Sequence, residues 1–322
     1  MQTKIANTRL VIILAIATYL AGCSVRSSDA AEPRHINSSG VKTQSNDQND
    51  QKRVSDRPGN TLGRVFIVMY HHFFAGRGDL YRSPKQFRQD LQTYYDLGFR
   101  PVLASEYLAN KMPLAPGAMP IILTFDDSNP TQVHFLKDGS LDPKCAVGIW
   151  KDFAETHPDF PVHGTFFVLP DMMWGQLRKY RDAKIKLVLG LGSEIESHTV
   201  SHPFLNRLSD QRVMKELGDA TIRLEHFGQK PPISLALPYG VLPRHTQVFY
   251  GFKWKGRKIH FPGVFLAAGP PARSPIDPKF KRFRIPRMAG NWEGDAVGYW
   301  LKQLAKGKIK PYVQPLGRVA VP

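Results

Sequence analysis

The chain has 322 residues and a formal net charge of +17, from 44 Lys and Arg against 27 Asp and Glu. Its 2 cysteines cannot form a disulfide framework, and past the amino-terminal segment no apolar stretch is long enough to cross a bilayer. The basic residues are scattered rather than set in an aromatic-interleaved stripe, which argues against a nucleic-acid partner.

Lys4 and Arg9 precede the apolar run Val11-Ile12-Ile13-Leu14-Ala15-Ile16-Ala17, which ends in small residues before Cys23. That order reads as an export signal. Leu20-Ala21-Gly22-Cys23 resembles the lipobox of bacterial lipoproteins, which implies a signal peptide over 1–22 and a membrane anchor through lipid on Cys23. Ser24 at the next position implies the periplasmic face of the outer membrane if the host is Gram-negative. Residues 23–60 are Ser, Asp, Asn, Gln and Lys-rich, too polar to repay the entropy of ordering, and read as a flexible tether. Residues 61–322 then suit one large domain.

In that domain Val65-Phe66-Ile67-Val68-Met69-Tyr70 reads as a buried strand ending in His71-His72. Ser83-Pro84 opens a helix with Phe87, Leu91, Tyr94 and Tyr95 at helical spacing. A short strand near Arg100–Leu103, a helix from Ser105 and a loop from Pro113 to Pro120 follow. Ile121-Ile122-Leu123-Thr124-Phe125 is a second strong strand. Further helices are expected over Cys145–His157, Trp174–Leu189, Ser209–Phe227 and Ala296–Leu304. Further strands are expected at Thr165–Leu169, Glu194–Ser197, Ile233–Leu237, Val264–Ala267 and Phe283–Ile285. Alternating strands and helices imply an α/β fold with a parallel sheet, whose functional groups gather at the strand carboxyl ends. Cys145 leads into an apolar run and reads as a buried structural thiol.

Three strand ends carry chemistry. Asp126-Asp127 follows a buried strand, and two carboxylates at one turn need a cation or a shared proton. His198 and His202 follow Glu194–Ser197; on a helical turn, that spacing sets both imidazoles on one face, as in helical zinc sites. One carboxylate with two imidazoles leaves a coordination position open for water. Pro238-Tyr239-Gly240 follows a third strand, where a constrained turn would aim the Tyr239 amide N–H at an oxyanion.

Thr124-Phe125-Asp126-Asp127, His198-Thr199-Val200-Ser201-His202 and Pro238-Tyr239-Gly240 together resemble the motifs of the polysaccharide deacetylase superfamily, carbohydrate esterase family four, also called the NodB-homology domain. The likeness spans Val65 to about Met288. It implies a distorted (β/α)7 barrel and a catalytic domain over 61–322. Asp127, His198 and His202 would hold a divalent metal, usually Zn2+, with Asp126 as general base and Tyr239 as oxyanion donor. The implied partner is an acetylated amino-sugar polysaccharide that loses N-acetyl groups.

Two departures stand out. The family's arginine two residues before the motif proline is replaced by Ala236, a gap that Arg284 or Arg287 would have to fill. No Leu-x-His follows the third motif, so the acid that protonates the leaving amine is unassigned; His71 and His72 are candidates. Trp292 and Trp300 are candidates for a sugar-stacking wall or for helix packing. Arg77-Gly78-Asp79, a lone loop tripeptide, carries no functional reading. The alternatives are a catalytically silent carbohydrate-binding lipoprotein and a hydrolase of O-acetyl esters or other amides.

Overall fold

The computed structural model describes residues 57–76, 78, 80–175 and 178–317. The export signal, Cys23 and most of the tether lie outside the described residues, as do Arg77 and Asp79 of the loop tripeptide.

The strands β1 (Arg64–Tyr70), β2 (Phe99–Pro101), β3 (Met119–Phe125), β4 (Thr165–Val168), β5 (Glu194–Ser197) and β6 (Leu235–Ala236) alternate with helices. These helices are α1 (Pro84–Asp96), α2 (Ala104–Leu108), α3 (Ala146–Thr156), α4 (Arg181–Gly190) and α5 (Asp210–His226). A hairpin of β7 (Phe252–Trp254) and β8 (Arg257–Ile259) precedes β9 (Val264–Phe265), β10 (Ala272–Arg273), β11 (Met288–Ala289) and α6 (Val297–Ala305). The strands β1, β3, β4, β5, β6 and β9 pair in parallel in that order. Closure comes from residues 285–289: Ile285 bridges Phe265 of β9, while β11 pairs in parallel with β1. The sheet therefore curls into the distorted barrel that the motifs imply.

Both faces of the long strands are buried, which explains their unbroken apolar runs. Phe66, Val68 and Tyr70 of β1 face the outer helices, whereas Val65 and Ile67 join Ile122, Phe167, Ala236, Phe265 and Ile285 in the barrel interior. The helix caps follow local chemistry. Ser83 and Gln86 form a reciprocal capping box at α1, and the Ser209 hydroxyl accepts from the Arg212 amide at α5. Cys145 is buried and caps α3 by accepting from the Gly148 amide.

Three expectations change. Phe283–Ile285 is not a strand but the approach to β11. The basic helix begins at Arg181 rather than Trp174, because Trp174 has φ +62 and its indole is buried. Met119 and Pro120 belong to β3 rather than to the preceding loop.

Candidate active site

Alternation along β3 carries the interior face from Ile122 through Thr124 to Asp126, so Asp126 enters the mouth of the barrel from within. There Arg287 donates to both carboxylate oxygens of Asp126, at 2.7 Å each. Its Nη1 also donates to Thr124 Oγ1 at 3.1 Å and its Nε to Leu266 O at 2.8 Å, and the guanidinium lies 5.2 Å from the Phe167 ring centroid. Arg287 is wholly buried, whereas Arg284 is exposed. Of the two arginines that could fill the gap at Ala236, the structure selects Arg287. Burial pushes the Asp126 carboxyl up, but the Arg287 and His198 charges outweigh it and hold Asp126 below the usual carboxylate range.

Past β3 the chain reverses through two left-handed residues, Asp127 at φ +69 and Ser128 at φ +53. Such backbone is costly for residues with side chains and persists only where neighbours fix it. Gln132, fully buried, donates to the Asp126 and His71 carbonyls, and Ser128 Oγ accepts from the Leu169 amide at 2.8 Å. The turn sends Asp127 away from its neighbour and toward the histidines.

His198 and His202 do not lie on a helical turn. They sit in a loop after β5 in which Thr199 has φ +71 and His202 φ +55. Glu216 of α5 fastens this loop, accepting from the Val200 amide at 3.0 Å, the Ser201 amide at 2.9 Å and the Ser201 hydroxyl at 2.8 Å. The Nδ1 of His198 is 2.8 Å from Ala236 O; a carbonyl only accepts, so Nδ1 carries the proton and, in the neutral ring, Nε2 holds the lone pair. Both Nε2 atoms lie 3.3 Å from Asp127 Oδ1. The ligand atoms of Asp127, His198 and His202 all fall within 4.8 Å of one another. Asp127 Oδ1 is buried without a hydrogen-bond partner, and the donor set is one carboxylate and two imidazoles; both features fit a bound divalent cation.

The charges around this cluster are strongly coupled. Burial raises the Asp127 carboxyl, yet the imidazoles, His198 foremost, bring it well below the ordinary range. For His198 burial acts downward but the two carboxylates prevail and raise it. His202 is lowered by burial and by the His198 charge, and His71 by burial.

These groups open into a cavity of about 360 Å³ whose lining includes Met69, His71, Tyr239, Glu293 and Asp295. Among the two histidines after β1, His71 lines the cavity, with Nε2 4.0 Å from Asp127 Oδ2, while His72 packs with Phe74 and Tyr81. Tyr239 is 53% exposed at φ +57, stacked on Phe204 at 3.9 Å and edge-on to His202 at 4.5 Å. Gly240, at φ +67, has no room for a side chain: a Cβ would lie 2.9 Å from the Ala267 nitrogen. Neither Trp292 nor Trp300 is among the residues lining this cavity. Trp292 donates its indole N–H to buried Asp90 at 2.7 Å, and Trp300 packs on the core. Sequence reasoning missed Gln132 and Glu216; each is a single polar residue at a distance from the motifs, with no local signal.

Residues 115–250 match the family described as polysaccharide deacetylase. The chain is 29% identical over 126 residues to the peptidoglycan-N-acetylmuramic acid deacetylase PdaC of Bacillus subtilis (strain 168), covering 39% of this chain and 22% of that protein. Thus the chain spans about a fifth of that relative's length. Its fold is similar to the Streptococcus pyogenes deacetylase PplD in complex with acetate, with 19% identity, a TM-score of 0.55, and 75% of this chain and 98% of that one covered. It is also similar to IcaB from Ammonifex degensii, with 18% identity, a TM-score of 0.50, and 76% and 96% covered.

Proposed function

We propose that this polysaccharide deacetylase family member is a metal-dependent hydrolase that removes N-acetyl groups from an amino-sugar polymer. One observation carries the reading: the Asp127, His198 and His202 cluster stands beside a second carboxylate, Asp126, that a buried arginine keeps ionised. Asp127, His198 and His202 would hold a divalent cation, Zn2+ by the donor types, which would supply a Lewis acid able to lower the pKa of water toward about 7. Asp126 is the general base, accepting the water proton as oxygen attacks the acetamide carbonyl, and Arg287 fixes the direction of its oxygens. The Tyr239 amide N–H donates to the developing oxyanion, a contact whose removal costs about 3–4 kcal/mol. The C–N bond then breaks, acetate leaves, and the sugar amine takes up a proton.

A silent carbohydrate-binding protein, suggested by the missing motif arginine and histidine, is the weaker reading, because Arg287 meets Asp126 in place of the first. The amino-terminal sequence further supports export and attachment to a membrane through lipid on Cys23.

Acetate release from N-acetylglucosamine oligomers and from peptidoglycan, with Zn2+ supplied, tests the reaction. Asp126→Asn is expected to lower release by on the order of 10²-fold or more. Wild-type protein that retains metal and releases no acetate from either substrate, or from an O-acetylated polymer, would leave only the binding role.

A further inference from the structure

We propose that the end of the barrel opposite the active site docks onto an anionic phospholipid surface. This inference does not depend on the reaction catalysed at the other end. It starts from two adjoining openings that share Arg64 and Pro270. The first is lined by Arg64, Arg273, Lys279, Lys281 and Arg284; the second adds Lys308 and Lys310. Neither lining contains a carboxylate. Arg64 and Arg273 are register partners in the β1–β10 ladder, and Asp277, 2.6 Å from Arg273 Nη1, offsets part of their repulsion. Burial and the Arg273 charge together draw the Arg64 pKa down, the mark of two cations held close without full compensation.

Apolar residues among these cations favour a lipid surface over a soluble anion. Leu62, 57% exposed, lines the second opening, and Ile276, 43% exposed, lies in the turn between Arg273 and Lys279. Cations that meet headgroups around protruding aliphatic side chains are the pattern of interfacial binding. The chain's course agrees. Asn60, three residues after the first described residue, bonds Val313 and Pro311 beside Lys310. From Arg64 to Tyr70, β1 runs roughly 20 Å toward the catalytic cavity, so a docked domain holds that cavity away from the bilayer.

The test uses the full chain carrying Cys23→Ser, which removes any acyl anchor, in sedimentation with phosphatidylcholine vesicles with or without phosphatidylglycerol. Binding is expected only to the anionic vesicles. Replacing Lys279, Lys281, Lys308 and Lys310 together by Gln should weaken it by at least about tenfold. A charge-matched control changing the exposed Lys85, Lys137, Lys144 and Lys253 to Gln should have little effect. The single change Leu62→Ser, at an exposed position, should weaken binding with the melting temperature and acetate release unchanged. Equal losses in the two lysine quadruples, equal binding to neutral vesicles, or binding of inorganic phosphate with none to vesicles would each overturn the proposal.

Discussion

Replacing Arg287 by Met removes a buried cation while keeping much of its apolar volume, and isolates the charge of Asp126. Wild-type Asp126, 1% exposed, relies on two 2.7 Å bonds from that guanidinium. Deleting one member of a buried ion pair costs about 3–5 kcal/mol, because the survivor is left charged and unpaired. Thr124 Oγ1 and Leu266 O lose a donor too, so the upper half of that range is expected. Urea unfolding at neutral pH measures the loss. In an Asp126→Asn background the same change should cost about 2 kcal/mol or less, because no charge remains to be stranded. Arg287→Lys keeps a cation without the bidentate fork, and turnover should fall by on the order of 10²-fold as the base loses its aim. An Arg287→Met protein within about 1 kcal/mol of wild type, or an equal loss in both backgrounds, would refute the pairing argument.

Glu216→Ala should reduce metal affinity by about 10–100-fold with little change in unfolding midpoint, since Glu216 touches the histidine loop but no ligand atom; titration against a chelator measures it. Glu194→Gln tests a buried carboxyl in the barrel, raised above its ordinary range by burial although the Ser105 amide and Thr165 hydroxyl donate to it. The unfolded chain loses this proton first as pH rises past about 4.3, so wild-type stability falls from there up to the folded pKa. Denaturation midpoints should show Glu194→Gln gaining on wild type across that window; parallel pH profiles would contradict it.

Much of the barrel could be read from the chain because its strands are buried on both faces and announce themselves as apolar runs. β1, β3 and β4 therefore fall where Val65–Tyr70, Ile121–Phe125 and Thr165–Leu169 are expected. The last third is harder. β6, β9, β10 and β11 have two residues each, too few to establish a period, and β7 and β8 form a half-buried hairpin that pairs outside the main sheet. The candidate metal cluster was legible for a reason that proved only half right. Strand-end placement brings Asp127, His198 and His202 together, but left-handed backbone at Thr199 and His202, tied down by Glu216, replaces the helical turn. No local pattern marks Arg287 as the partner of Asp126, because closure of the barrel brings them together across the chain.

That closure explains why Ala236 can stand where the motif resemblance calls for an arginine. Ala236 belongs to the interior cluster with Phe167, Phe265 and Ile285, and its register partner is Phe265. Arg287 occupies the same interior, lying over Phe167 and donating to Leu266 O, one residue beyond that partner. Both oxygens of Asp126 already accept from Arg287, so an arginine entering from β6 would compete with it for the same carboxylate. Ala236→Arg alone should destabilise by about 3–5 kcal/mol, since a second buried cation finds no free carboxylate. Combined with Arg287→Ala, the same change should recover at least about tenfold of the turnover lost by Arg287→Ala, because charge returns to Asp126 from the neighbouring strand. Steady-state acetate release from the four proteins completes the cycle. A double variant no more active than Arg287→Ala would mean that Asp126 requires the Arg287 geometry itself, and that the two origins of the arginine are not interchangeable.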